Sequence, residues 1–250
     1  MENVIYYFSG RGNSLSVAQG LASLLADTEI RPMTSVKGEA SLPEGWVGVV
    51  MPVIDFGIPA YVRGFLKRLR TDGHRPCLYA VVTCGGMPGA SMQTVKNLLK
   101  KRGLPLCAGW TLEFGRKMMT DGEFKQRLEE MADVIGRKEK LPIPPASLAA
   151  KLMTGLLNPL ARVLIPKEDK KFRIAANCTG CGMCSRLCPV DNIRIENGRP
   201  VWLHHCEQCA ACFSWCPQKA ISGKCLAART HYQNPRVAIE QLYEQGSMRQ

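Results

Sequence analysis

The sequence predicts an α/β fold class: a doubly wound parallel sheet joined to a small, cysteine-rich α+β unit. Three observations carry this. Up to residue 115, short apolar β-rich runs alternate with amphipathic segments, the pattern of βαβ units. Of the 12 cysteines in the 250-residue chain, those between Cys178 and Cys216 are crowded at short, regular spacings. A composition of 46% hydrophobic and 22% charged residues excludes wholesale disorder and fibrous structure.

Val4–Phe8 is a buried strand by composition, followed by the loop Ser9–Asn13. A helix is expected from about Ser14 to Ala26, where Leu15, Ala18, Ala22 and Leu25 share a face. Glu29–Met33 is a weaker strand and Trp46–Met51 a strong one. Pro59–Leu69 reads as a helix with proline in its first turn, and Cys77–Thr83 as a strand. Ser91–Arg102 is a helix stopped before Gly103, and Leu106–Thr111 a further strand. Ligands of such sheets bind beyond the carboxyl ends of the strands. Three Gly- or Pro-rich loops are expected there: Ser9–Ser14, Pro52–Ile58 and Cys84–Gly89.

Gly122–Lys140 is a charged helical stretch expected on the sheet's edge, and Leu141–Pro145 (LPIPP) is a stiff break. These signals divide the chain into a sheet domain (1–140), a helical linker (141–170), a cysteine-rich domain (171–225) and a C-terminal tail (226–250). In the linker, Leu148, Leu152, Leu156, Leu160 and Leu164 recur every four residues, with a kink expected at Pro159. An interdomain helix that covers core is expected, rather than a peripheral membrane foot. Lys151, Arg162 and the Asn158-Pro159 break interrupt the Ala146–Ile165 stretch, so no transmembrane segment is expected. Met1–Phe8 lacks the basic start of a secretory signal, and a cytoplasmic location follows as the expectation. Thiols there stay reduced, which favours ligand over disulfide for clustered cysteines.

Cys178, Cys181, Cys184, Cys188 and Pro189 recur after 28 residues as Cys206, Cys209, Cys212, Cys216 and Pro217, and Ile193 recurs as Ile221. Each half is C-x2-C-x2-C-x3-C-P, the bacterial iron–sulfur run whose fourth cysteine serves the other cluster. The spacing assigns Cys178, Cys181, Cys184 and Cys216 to one [4Fe–4S] cluster, and Cys206, Cys209, Cys212 and Cys188 to a second. Structural zinc prefers two separated Cys pairs closing one tetrahedron, and fits a duplicated triple run poorly. Gly180 and Gly182 leave room for backbone N–H groups near sulfide, and Ile193 and Ile221 are candidates to sheathe the clusters.

Ser9-Gly10-Arg11-Gly12-Asn13-Ser14 lies between a strand and a helix, where hydroxyls, an amide and free N–H groups make an anion cradle. FSGRGNS resembles the flavodoxin phosphate loop, and Thr83–Gly89 (TCGGMPG) resembles the flavin-ring loop of the same fold. With the cysteine repeat, the chain is similar to the flavodoxin–ferredoxin fusion proteins (ferrodoxins) of anaerobic microbes; Pro52–Pro59, Cys206–Pro217 and His231–Pro235 extend the likeness. The resemblance implies FMN, with Ser9, Gly10, Arg11, Gly12, Asn13 and Ser14 at its phosphate. It also implies Pro52, Val53, Phe56, Gly57, Thr83, Cys84, Gly85 and Gly86 beside its ring. Two departures stand out: Arg11 replaces the usual threonine, and the Cys84–Gly89 loop has no aromatic, leaving Phe56 or Met87 as stacking candidates.

Cys77 and Cys107 are expected to be small core residues, Cys225 to be no ligand, and Cys84 to have no reason for a lowered pKa. His204 and His205 are expected at the surface. The net charge of +12 favours acidic partners or anionic ligands. Lys100-Lys101-Arg102 and Lys170-Lys171-Arg173 are solvated faces or docking points for an acidic ferredoxin, flavodoxin or reductase, while nucleic-acid binding lacks any module. The expected function is electron transfer between FMN and two clusters. The alternatives are a flavin-dependent oxidoreductase acting on a small substrate, and a ferredoxin with an empty docking domain.

Overall fold

The computed structural model describes residues 3–115, 119–227 and 229–247. Five strands make the main sheet: β1 (Asn3–Tyr7), β2 (Thr28–Pro32), β4 (Trp46–Pro52), β6 (Cys77–Cys84) and β7 (Leu106–Glu113). They run in the order β2-β1-β4-β6-β7, every pairing parallel. With the two-residue pair β3 (Ala40–Ser41) and β5 (Leu69–Arg70) set aside, this is the flavodoxin-like winding 2-1-3-4-5, whose switch point lies between the first and third strands.

The intervening helices are α1 (Asn13–Leu24), α2 (Ala60–Arg68) and α3 (Ser91–Lys100). One face of the sheet packs Val4, Tyr6, Val47 and Val49 against Val62, Phe65 and Leu66 of α2 and Val95 and Leu99 of α3. The other packs Ile5, Tyr7, Val50 and Val81 against Leu15, Ala18 and Leu21 of α1. Buried on both faces, the strands read as continuous apolar runs, which is why they were plain in the sequence. α4 (Asp121–Gly136) starts in a capping box formed by Thr120 and Glu123 and sets Phe124, Leu128 and Met131 beside α1 at the β7 edge.

α5 (Leu148–Glu168) continues through Pro159 and Pro166 as one helix. The expectation that its leucines cover core is overturned: Leu148 is 72% exposed, Leu156 71% and Leu160 58%. The helix turns its polar side inward instead. Thr154 Oγ1 donates to the Phe56 carbonyl at 2.7 Å and accepts from the Ala90 N–H at 2.8 Å, and Asn158 donates to the Asp55 carbonyl at 3.3 Å. A period of four cannot distinguish a face turned to core from one turned outward, and hydrogen bonds to two loops decided the matter.

The cysteine-rich unit holds β8 (Arg173–Ile174), α6 (Met183–Arg186), β9 (Ile193–Glu196), β10 (Arg199–Trp202), α7 (Ala211–Ser214) and β11 (Ile221–Ser222). β8 pairs with β11 and β9 with β10, both antiparallel. Residues 229–247, including α8 (Ile239–Ser247), return to the main sheet. Asn234 N–H donates to the Arg11 carbonyl at 2.9 Å, and Gln245 exchanges two hydrogen bonds with the Ser9 backbone, at 2.7 and 2.8 Å. Of the expected tail, residues 228 and 248–250 lie outside the described residues.

Cys77 and Cys107 are joined by a disulfide, a correction to their reading as reduced core thiols. The register between β6 and β7 shifts at Leu78/Tyr79, leaving Cys107 as the extra residue beside Cys77.

Candidate functional site

The 28-residue repeat holds at the level of backbone geometry. Gly180 and Gly182 have φ of 69° and 73°, and their counterparts Gln208 and Ala210 have 51° and 60°. Asp191 and Lys219, also 28 apart, have 51° and 48°. α6 and α7 occupy equivalent positions, and equivalent N–H groups donate to sulfur: Asn192 to Cys188 at 3.2 Å and Ala220 to Cys216 at 3.4 Å.

This folding brings the thiols into two sets. Cys178, Cys181, Cys184 and Cys216 line one cavity together with Ile195, Pro200 and Ile221. Cys188, Cys206, Cys209 and Cys212 line a second with Phe172, Val190, Ile193 and Trp202. Among the described residues, no group of three or more His, Cys, Asp or Glu side chains closes on a single metal ion. Two spread sets of four thiols in apolar walls fit multi-iron clusters better than tetrahedral zinc. Burial pushes the Cys184 thiol up to about 11 and Cys209 up to about 12, and raises Cys206 and Cys212 as well. Protonated when empty, these thiols must lose their protons as metal binds.

A third cavity, of about 210 Å³, opens at the carboxyl ends of β1, β4 and β6. Of the residues that the resemblance places at the flavin, Ser9, Gly10, Arg11, Asn13, Ser14, Pro52, Val53, Thr83, Cys84 and Gly85 line this cavity. Gly12, Phe56, Gly57 and Gly86 do not. Gly57 is packed against Asn158 of α5, and the Phe56 carbonyl is tied to Thr154, so this end of the loop faces the helix. Neither Phe56 nor Met87 lines the cavity; the aromatic there is Phe114, just past β7, where no loop motif drew attention to it. Asp55, Gln208, Cys209 and Arg229 also line it.

The phosphate-type loop is held from behind by the rest of the chain. Arg11 donates to the Thr230 carbonyl at 3.1 Å and the Tyr232 carbonyl at 3.4 Å, with its guanidinium 4.8 Å from the Tyr232 ring centre. Asn13 Oδ1 accepts from Tyr232 OH at 2.8 Å and Asn234 Nδ2 at 2.9 Å, and Ser14 Oγ bonds Thr83 Oγ1 at 2.9 Å. These hydrogen bonds tie the loop to the strap formed by residues 229–247 and to Thr83 at the end of β6. Ser9 Oγ is buried without a partner among the described residues. Gly12, φ 95°, is the N-cap of α1, and no side chain caps the first N–H groups of the helix. Arg11 and Arg229 lie close enough for repulsion to add to the burial that lowers the Arg11 pKa. An orphaned hydroxyl, an uncapped helix start and two guanidiniums fit an anionic phosphate.

The third cavity touches the second cysteine run directly. A Cβ at Gly10 would collide with the Cys209 carbonyl, so only glycine allows the approach, and Trp215 Nε1 donates to the Gly10 carbonyl at 3.1 Å. A hydrogen-bond network adjoins the second set of thiols, the inner one: buried Asp169 accepts from buried Asn192 Nδ2 at 2.8 Å and bonds His204 Nδ1 at 2.7 Å. Asp169 follows α5 directly, and nothing in its sequence context marked it.

The model of the 4Fe-4S dicluster domain family matches residues 177–221. No curated protein matches the chain in sequence. Among solved structures, the rubredoxin oxygen:oxidoreductase of the anaerobe Desulfovibrio gigas is 19% identical, with a TM-score of 0.42 over 54% of this chain and 35% of that one. The chain therefore spans about a third of that protein's length. An archaeal flavodoxin is 16% identical (TM-score 0.42, 55% of this chain, 98% of that one), and flavodoxin 1 of Bacillus cereus is 18% identical (0.41, 53% and 96%). The chain thus joins a flavodoxin-like sheet, defined by its strand order, to a 4Fe-4S dicluster region.

Proposed function

We propose that the chain is an electron-transfer protein that carries two [4Fe–4S] clusters and FMN and exchanges electrons with an acidic protein partner. One observation carries the reading: Cys209 belongs to the inner thiol set and also lines the cavity under the phosphate-type loop. When bound, the clusters supply one-electron chemistry and the flavin joins it to two-electron chemistry.

Cys178, Cys181, Cys184 and Cys216 would hold the outer cluster, and Cys188, Cys206, Cys209 and Cys212 the inner one. Ser9 Oγ, the first N–H groups of α1, Arg11 and Arg229 would face the flavin phosphate. Pro52, Val53, Thr83, Cys84, Gly85 and Phe114 would flank the ring. Phe172, Val190 and Trp202 keep water from the inner thiols, and the N–H groups of Asn192 and Gln208 place dipoles on sulfur. Exposed Arg194, Arg199 and Lys219 flank residues lining the outer cavity, where an acidic partner would approach.

The test is to mix the reduced protein anaerobically with an acidic ferredoxin and follow the visible absorbance. Transfer is expected to slow as salt rises, and Arg194→Glu/Arg199→Glu should slow it by about tenfold at low salt. Transfer indifferent to both would contradict the docking site. Turnover of a small substrate with reduced dye and no partner protein would favour the oxidoreductase reading.

A further inference from the structure

Among the described residues, most of the exposed large hydrophobic side chains sit on one helix. Leu148, Leu152, Leu156, Leu160 and Leu164 of α5, with Leu157 and Val163 beside them, form one aliphatic face. Such a patch marks an interaction surface. α5 is also long and apolar enough to cross a membrane by length and composition. Crossing is opposed by its tethers, because Thr154 and Asn158 bind the Phe56, Ala90 and Asp55 backbone and hold one long side against the sheet domain.

The exposed charges around this face are mostly positive. Lys151 lies near its start, and Lys167, Lys170, Lys171 and Arg173 lie at its end, all exposed. Of the nearby carboxylates, Glu168 is paired with Lys171, and Asp169 is buried with Asn192 and His204. Two copies of the chain meeting through this face would set positive ends against positive ends in either orientation. The face has no Trp or Tyr of the kind that anchors protein interfaces.

We propose that α5 is a membrane-surface foot: its leucine face sinks into the outer part of an anionic phospholipid layer, with the flanking basic residues on the headgroups. The helix then lies flat, and the cavity at the strand ends stays beside the lipid.

The experiment uses the full-length protein, purified anaerobically with its cofactors. It is sedimented with vesicles of phosphatidylcholine alone and of phosphatidylcholine mixed with phosphatidylglycerol. Pelleting is expected with the anionic vesicles and not with the neutral ones. Leu156→Glu/Leu160→Glu should abolish it, and Lys167→Glu/Lys170→Glu or added salt should reduce it several-fold. These positions are exposed, so both variants should keep the iron content of the parent, which shows that they fold. Three results would overturn the proposal: no pelleting with anionic vesicles, equal pelleting with neutral ones, or a soluble dimer that Leu156→Glu/Leu160→Glu dissociates.

Discussion

The two cysteine runs share a sequence pattern and a backbone path but differ in what lies behind them. In the first, Cys181 is exposed, and left-handed turns are made by glycines. Gly180 has no alternative, since a Cβ there would meet the Gly198 carbonyl. In the second, the same left-handed positions are occupied by Gln208 and Ala210. A non-glycine residue there costs roughly 1–2 kcal/mol. Gln208 is held in place by Arg229, which donates to its carbonyl at 2.8 Å and its side-chain oxygen at 3.3 Å. The strap that pins the phosphate-type loop therefore also stabilises the inner run. The repeat supplies two equivalent thiol sets, and the surrounding chain makes one face outward and the other inward.

The sharpest way to break this comparison is to remove one thiol from each set. Cys209→Ser is expected to halve the acid-labile sulfide and also to deplete flavin, because Cys209 packs on Gly10. Cys184→Ser should halve the sulfide and leave flavin in place. Equal flavin content in the two variants, measured by fluorescence after acid release, would contradict the asymmetry. Gly12→Val is expected to remove flavin while sparing iron, since its φ of 95° and the nearby Asn234 leave no room for a side chain. Retained flavin in that variant would sink the phosphate-loop assignment.

Backbone substitutions sharpen the contrast at smaller scale. Gly180→Ala should cost about 2 kcal/mol in anaerobic thermal melts, through strain and the collision with Gly198. Ala210→Gly, the reverse exchange in the inner run, should change stability by less than about 0.5 kcal/mol, as relief of left-handed strain offsets the added freedom of the unfolded chain. Similar losses at both positions would mean that the runs are not differently supported.

Local signals made the sheet and both thiol sets legible. Strands buried on both faces are continuous apolar runs, and the cysteine spacing records the geometry of each loop. The three loops at the strand ends followed from the alternation of β and α segments. The parts that were not legible rest on contacts distant in sequence. The strap from Arg229 to Gln245 meets Ser9, Arg11 and Asn13 across more than 200 residues, and its polar contacts leave no periodic trace. Phe114 entered the cavity by its place after an edge strand, and Cys107 met Cys77 through a register shift. The leucine pattern of α5 gave the helix but not its outward face, because Thr154 and Asn158 oriented it.

The most direct measurement is the iron, acid-labile sulfide, zinc and flavin content per chain of protein prepared without oxygen. The expected result is about eight iron and about eight sulfide, the content of two cubanes, with about one FMN and no zinc. Zinc in place of iron, or about four iron per chain, would contradict the paired thiol sets; full iron without flavin would contradict the third cavity's role.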